Sequence, residues 1–220
     1  MKPFAKYFDH TLLQPDADAD DIRRLCEEAL QYDFASVCVN SCRVRLAHSL
    51  LADSDVAVTS VVGFPLGAMH RRAKAREAAL ACRDGADEID MVLNIGALRD
   101  GEDDLVRRDI AGVAGAIGRQ RTLKVILETH LLTAGQLDRA CRLAVEAGAD
   151  FVKTSTGFSG GGATVEAVRA MRESVGSRAR IKASGGIRDL DTALALIDAG
   201  ADRLGASASA AIMKEYLRRG

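Results

Sequence analysis

Short, nearly continuous apolar runs punctuate this chain, and between them apolar residues return every three or four positions. The runs fall at 7–12, 34–39, 56–62, 88–93, 123–128, 150–154, 179–183 and 202–206. Runs of this kind predict parallel strands buried on both faces. The intervening stretches predict helices. From Asp20 to Gln31, the residues Ile22, Leu25, Cys26 and Ala29 share one helical face. From Leu137 to Ala147, Ala140, Cys141, Ala144 and Val145 do the same, and 70–84 is rich in Ala and Arg without a breaker.

One tripeptide marks the joints. Gly85-Ala86-Asp87, Gly148-Ala149-Asp150 and Gly200-Ala201-Asp202 each close a helical pattern and open an apolar run. Glycine suits the position just past a helix C-terminus, where a left-handed backbone carries no Cβ clash. A helix-to-strand joint used three times predicts a repeating α/β architecture. Eight strand–helix units without a Pro/Ser-rich linker predict a single (β/α)8 TIM barrel domain over residues 1–220. An open doubly wound sheet is the competitor. It is disfavoured because no G-x-G-x-x-G follows the first run and the phosphate-type turns follow late runs.

Composition narrows the function classes. The 220 residues are 48% hydrophobic, enough for a sizeable core, and the formal net charge is −1 with both signs interspersed. Nothing there points to nucleic acid or an anionic membrane. No signal-peptide pattern and no apolar run of bilayer length are read, so the expected location is cytoplasmic. The five cysteines are odd in number and widely spaced, which predicts small buried hydrophobes rather than a disulfide framework. His10, His48, His70 and His130 have no ligand spacing, so no metal site is expected. His10 is read as part of a structural hydrogen-bond network.

The candidate chemistry lies at the ends of strands. The sixth run ends in Lys153 and then Thr154-Ser155-Thr156-Gly157; the seventh carries Lys182 and runs into Ser184-Gly185-Gly186. Lysines on core strands need a reason. Neighbouring parallel strands lie about 4.8 Å apart, so two inward lysines there fall within electrostatic reach. Mutual repulsion, with burial added, disfavours charge on one of them. An uncharged amine is what Schiff-base chemistry needs; the other lysine can stay protonated and handle protons. On the fourth run, alternation puts Glu88 and Asp90 on the face opposite Ile89 and Met91. Both acids are therefore expected inside the barrel, Asp90 near the active end and Glu88 a layer deeper. Glu88 is expected to pair with Lys124, because an unpartnered buried acid is costly. Gly185-Gly186 and Leu204-Gly205-Ala206-Ser207 are small turns of the type that admits a phosphate to backbone N–H groups.

Taken together, Phe8-Asp9-His10-Thr11-Leu12-Leu13, Val61-Val62-Gly63-Phe64-Pro65-Leu66-Gly67, Glu88-Ile89-Asp90-Met91-Val92, the Lys153 motif through Gly157, Ile181-Lys182-Ala183-Ser184-Gly185-Gly186-Ile187-Arg188 and Arg203-Leu204-Gly205-Ala206-Ser207 resemble the deoxyribose-phosphate aldolase family. The resemblance runs in order across almost the whole chain. It implies a cofactor-free, metal-free class I aldolase acting on a phosphorylated sugar, often as a homodimer. By motif it implies Lys153 as the Schiff-base lysine, Lys182 as its neighbour in proton transfer and Asp90 as the acid/base. It places Gly157, Gly185, Gly186 and Ser207 around the phosphate, and Asp9, Thr11 and Thr156 near the sugar. Cys38 matches a pocket cysteine read as a bystander. Phe158 and Ala208 stand where some members carry a lysine and a second serine, and Tyr216 reads as part of the last helix rather than a closing tail. Two other readings stay open at this level: an imine-forming barrel aldolase for another sugar or keto acid phosphate, and a non-catalytic barrel that senses a phosphorylated metabolite.

Overall fold

The computed structural model describes residues 2–219. Its strands are β1 (Phe8–Leu12), β2 (Ser36–Val39), β3 (Ala57–Val62), β4 (Glu88–Val92), β5 (Thr122–Ile126), β6 (Phe151–Lys153), β7 (Arg180–Ser184) and β8 (Arg203–Ala206). All pair in parallel in chain order, and β8 returns to β1 to close the barrel. The single-domain (β/α)8 expectation is met, with strand ends within about two residues of the apolar runs.

The helices are α1 (Ala19–Tyr32), α2 (Val44–Leu51), α3 (Arg71–Arg83), α4 (Ile95–Asp100), α5 (Asp103–Ile117), α6 (Ala134–Glu146), α7 (Val165–Val175), α8 (Leu190–Asp198) and α9 (Ser209–Arg219). On α1, Ile22, Leu25, Cys26 and Ala29 are the buried residues, and Asp18 closes a capping box with Asp21. Two helices link β4 to β5, because Gly101 ends α4 in a left-handed conformation and Asp103 restarts the chain as α5. The main core lies between the barrel and its helices. Phe8, Val37, Val58, Ile89, Met91, Val125, Val152, Ile181 and Leu204 face outward into it.

The repeated tripeptide has two jobs, of which the sequence signals one. Gly85, Gly148 and Gly200 all take positive φ, and the alanine after each bonds back into its helix, as in a Schellman motif. The aspartate then reaches sideways to the preceding strand. Asp87 accepts the Val58 N–H at 2.9 Å, Asp150 the Leu123 N–H at 2.8 Å and Asp202 the Ile181 N–H at 2.8 Å. Each carboxylate thus ties the start of one strand to the start of the strand before it, and the ties repeat around the floor of the barrel.

Candidate active site

Alternation within each strand turns a polar set inward. Asp9 comes from β1, Glu88 and Asp90 from β4, Lys124 from β5, Lys153 from β6, Lys182 from β7 and Arg203 from β8. All are buried except Arg203, whose side chain is 12% exposed at the floor. Gly205 on β8 makes room: a Cβ there would lie 3.0 Å from both Lys182 Cε and Ser184 Cβ.

One carboxylate oxygen, Asp90 Oδ2, accepts from Lys153 Nζ and from Lys182 Nζ, each at 2.7 Å. Its other oxygen accepts from Lys124 at 2.9 Å. Lys124 also donates to Glu88 at 2.5 Å, so the expected pair forms, and Thr59 donates to the same Glu88 oxygen at 2.9 Å. Asp9 lies against Lys182 and Arg203, and Arg203 reaches on to Glu88 at 3.2 Å. Acids and bases therefore alternate along this chain of contacts.

This surrounding splits the two lysines. Burial first, and then the positive charge of Lys182, hold the Lys153 pKa below the ordinary lysine value, while Asp90 pulls the other way. Burial also opposes charge on Lys182, but Asp9 and Asp90 outweigh it and push its pKa up. For Asp90, burial is outweighed by Lys124, Lys153 and Lys182, which hold it well below the usual carboxylate range. Of the two influences that lower the Lys153 pKa, desolvation is thus the larger and the cationic neighbour the smaller, a reversal of the weight given to them by spacing alone.

Above the lysine layer opens a cavity of about 280 Å³ at the C-terminal rim, the face where barrels of this type carry out chemistry. Lys153, Thr11, Thr156, Gly157, Gly185, Gly186 and Ser207 line it. Asp9, Asp90 and Lys182 lie beneath it, with Lys182 ion-paired to both acids. Gly185 and Gly186 take φ of 86° and 79°, which turns the backbone after β7 sharply at the rim. Helix α9 begins two residues after Ser207, so its positive N-terminal end faces the same side.

Other sequence expectations find their places. Glu128 stands in a left-handed turn beyond β5, φ 57°, where its carboxylate accepts from the Thr156 N–H and hydroxyl. His10 points away from the cavity toward the helices and meets Glu28 at 2.7 Å, against the ring of Phe34. Cys38 is buried, and burial pushes its thiol pKa up. Phe158 stands at the cavity wall, edge-on to Phe64 at 5.2 Å between centroids. Tyr216 stacks on Phe4 at the N-terminal end of β1, the opposite end of the barrel. Among the described residues no cluster of His, Cys, Asp or Glu has metal-holding geometry, and no helix is long and apolar enough to cross a membrane.

Two residues of the site escaped sequence reasoning. Arg203 opens β8 and reads as an ordinary strand-edge cation; its signal was its parity with Gly205, which places it inside. Arg188 lines the cavity beyond Gly186 and brings a cation to the phosphate-type turns.

Fold and site together define a (β/α)8-barrel enzyme with buried lysines beneath a polar cavity at the C-terminal rim. More particularly, the chain belongs to the DeoC/LacD family of aldolases, whose family model matches residues 4–215. It is 54% identical over 213 residues to deoxyribose-phosphate aldolase 1 of Bacillus licheniformis, covering 97% of this chain and 96% of that one. It is 56% identical over 213 residues to deoxyribose-phosphate aldolase of Halalkalibacterium halodurans, covering 96% and 95%. Among solved structures, the tetrameric deoxyribose phosphate aldolase of Aeropyrum pernix superposes with a TM-score of 0.92 at 31% identity, covering 99% of this chain and 92% of that chain. The aldolase QR15 gives 0.94 at 40%, covering 100% and 98%.

Proposed function

We propose that this chain is a class I aldolase that reversibly cleaves 2-deoxy-D-ribose 5-phosphate to acetaldehyde and D-glyceraldehyde 3-phosphate through an imine on Lys153. The observation that carries the reading is the shared Asp90 oxygen, 2.7 Å from both Lys153 and Lys182, beneath a cavity that only one of those two lysines lines. The curated relatives' names point to the same substrate.

In this mechanism the neutral Lys153 amine adds to the C1 aldehyde of the open-chain sugar and loses water to give a protonated imine. Asp90 and the protonated Lys182 move protons at the reacting carbons. Loss of the C3 hydroxyl proton forms the new carbonyl as the C2–C3 electron pair flows into the imine, which becomes an enamine. Glyceraldehyde 3-phosphate leaves. Protonation of C2 and hydrolysis then release acetaldehyde and restore the amine. Gly157, Gly185, Gly186, Ser207 and the α9 N-terminus would hold the phosphate, with Arg188 adding a cation, and Thr11, Thr156 and Asp9 would shape the sugar end. Holding the phosphate fixes the reacting carbon over Lys153. The reaction serves deoxyribose phosphate catabolism, and the five free cysteines fit a reducing cytoplasm.

The test is acetaldehyde with borohydride, followed by intact mass and peptide mapping. The expected result is one reduced two-carbon adduct on Lys153, absent in Lys153→Leu, together with cleavage of the deoxyribose phosphate. An adduct elsewhere, or one formed only with ketoses or keto acids, overturns the assignment.

A further inference from the structure

The ion-paired network inside the barrel does not balance as drawn. Its cations are Lys124, Lys153, Lys182 and Arg203; its carboxylates are Asp9, Glu88 and Asp90. Four positive charges face three negative ones if every group is ionised. The excess vanishes if one lysine is neutral. Lys153 is the lysine best placed to be that one. It has a single carboxylate partner, whereas Lys182 touches both Asp9 and Asp90, and Lys124 lies within 4.0 Å of all three acids.

We propose that Arg203 and Glu88, on the barrel floor, are positioning residues that set this balance, so that the interior is neutral when Lys153 carries no proton. The inference rests on the imine reading above but concerns residues that touch neither substrate nor cavity. Arg203 pairs with Asp9, Asp9 with Lys182, Lys182 with Asp90 and Asp90 with Lys153. A charge change at the floor is therefore felt at Lys153 through low-dielectric surroundings. Other charged groups stand near the network without joining its ion pairs: Lys2 and Arg180 lie near Arg203 at the floor, and neither pairs with Asp9, Glu88 or Asp90. Cys38 of β2 is a buried thiol held in its neutral form by burial. Thr59 of β3, which bonds to Glu88 and Lys124, is neutral. Glu128, past β5, accepts from Thr156 and has His130 at 3.5 Å, so among the described residues it forms no ion pair with the network, and Arg188 stands at the cavity rim.

The signs follow from the count. Without the Arg203 charge, the network is neutral only with Lys153 protonated, so the amine holds its proton to higher pH. Without the Glu88 charge, the excess is positive even with a neutral amine, so the proton leaves at lower pH. Removing both charges restores the original count.

The experiment follows the rate of acetaldehyde adduct formation on Lys153 against pH, with cyanoborohydride as trap and intact mass as readout. In Arg203→Met the acid-side midpoint is expected to rise by about 0.5–1 pH unit, and in Glu88→Gln to fall by a similar amount. Arg203→Lys, which keeps the charge, and the double variant Arg203→Met/Glu88→Gln are expected close to wild type. A structural role alone would slow adduct formation without this opposite pair of shifts and without recovery in the double variant. If Arg203→Met does not fold, the downward shift in Glu88→Gln and the unmoved midpoint of Arg203→Lys decide the matter. Wild-type protein that forms an adduct, with folded variants whose midpoints stay fixed or move in one direction, overturns this inference alone. Failure of the wild type to form any adduct overturns the imine reading itself.

Discussion

Lys153 and Lys74 are both buried, both paired with an aspartate, and both held below the ordinary lysine pKa by burial. Lys74 is on α3. Its Nζ donates to Asp109 of α5 at 2.5 Å and to the Val92 carbonyl at 2.9 Å, and its methylenes pack under Gly63. One cation meets one acid, and neither residue lines the cavity at the C-terminal rim. Lys153 shares its acid with two other lysines and lines an open cavity. A perturbed pKa therefore does not separate the two regions. Connectivity and access do: the outer pair fastens two helices and the end of β4, whereas the inner network leaves one amine that is both reachable and short of partners.

The comparison breaks most sharply at the acids. Asp90→Asn removes the carboxylate shared by three lysines and is expected to cost about 10²–10⁴-fold in kcat/KM. Asp109→Asn is expected to leave kcat/KM near wild type, because that acid does not line the rim cavity. Release of acetaldehyde, followed through a coupled reductase, reads both. Similar losses in the two variants would mean that the outer pair is coupled to chemistry and that the distinction drawn here is false.

Stability should reverse the ranking. Lys74→Met leaves Asp109 buried without its cation, at a cost of up to about 3–5 kcal/mol. Burial already raises the Asp109 pKa, with Lys74 pulling it down. Removing Lys74 raises it further above its unfolded value. Such a carboxyl destabilises the fold at pH above the unfolded pKa, and the penalty shrinks as acidification protonates it. Urea unfolding at pH 7 and pH 5 measures this, and Lys74→Met/Asp109→Leu should regain much of the loss. Imine trapping on Lys153 should persist in the folded variant. Loss of trapping with unchanged stability would contradict the assignment.

These two regions were not equally legible. Lys153, Lys182 and Asp90 stood out because charged residues interrupt apolar strands; parity turned Glu88 inward, and the cost of a lone buried acid paired it with Lys124. Lys74 gave no such signal. It sits among Arg71, Arg72 and Arg76 on a helix that reads as a solvated surface, and only the packing of α3 on α5 buries it. Arg203 was hidden for another reason. Its partners, Asp9 and Glu88, come from strands 194 and 115 residues away, and barrel closure between β8 and β1 is what joins them. Likewise the glycines of the repeated tripeptide declared the helix ends, but the bonds made by its aspartates cross between strands and depend on register.

Those aspartates give the smallest effect and test whether the floor of the barrel is separate from the rim. Asp150→Ala removes the carboxylate that accepts the Leu123 N–H at 2.8 Å, one residue before Lys124. Its cost is expected at about 1 kcal/mol, the ordinary worth of one part-buried hydrogen bond. The midpoint of urea unfolding should fall with the slope unchanged, while the pH profile of trapping at Lys153 stays in place, because Asp150 belongs to no ion pair of the inner network. A shifted profile would show that strand register at the floor, and not only charge, governs the amine above it.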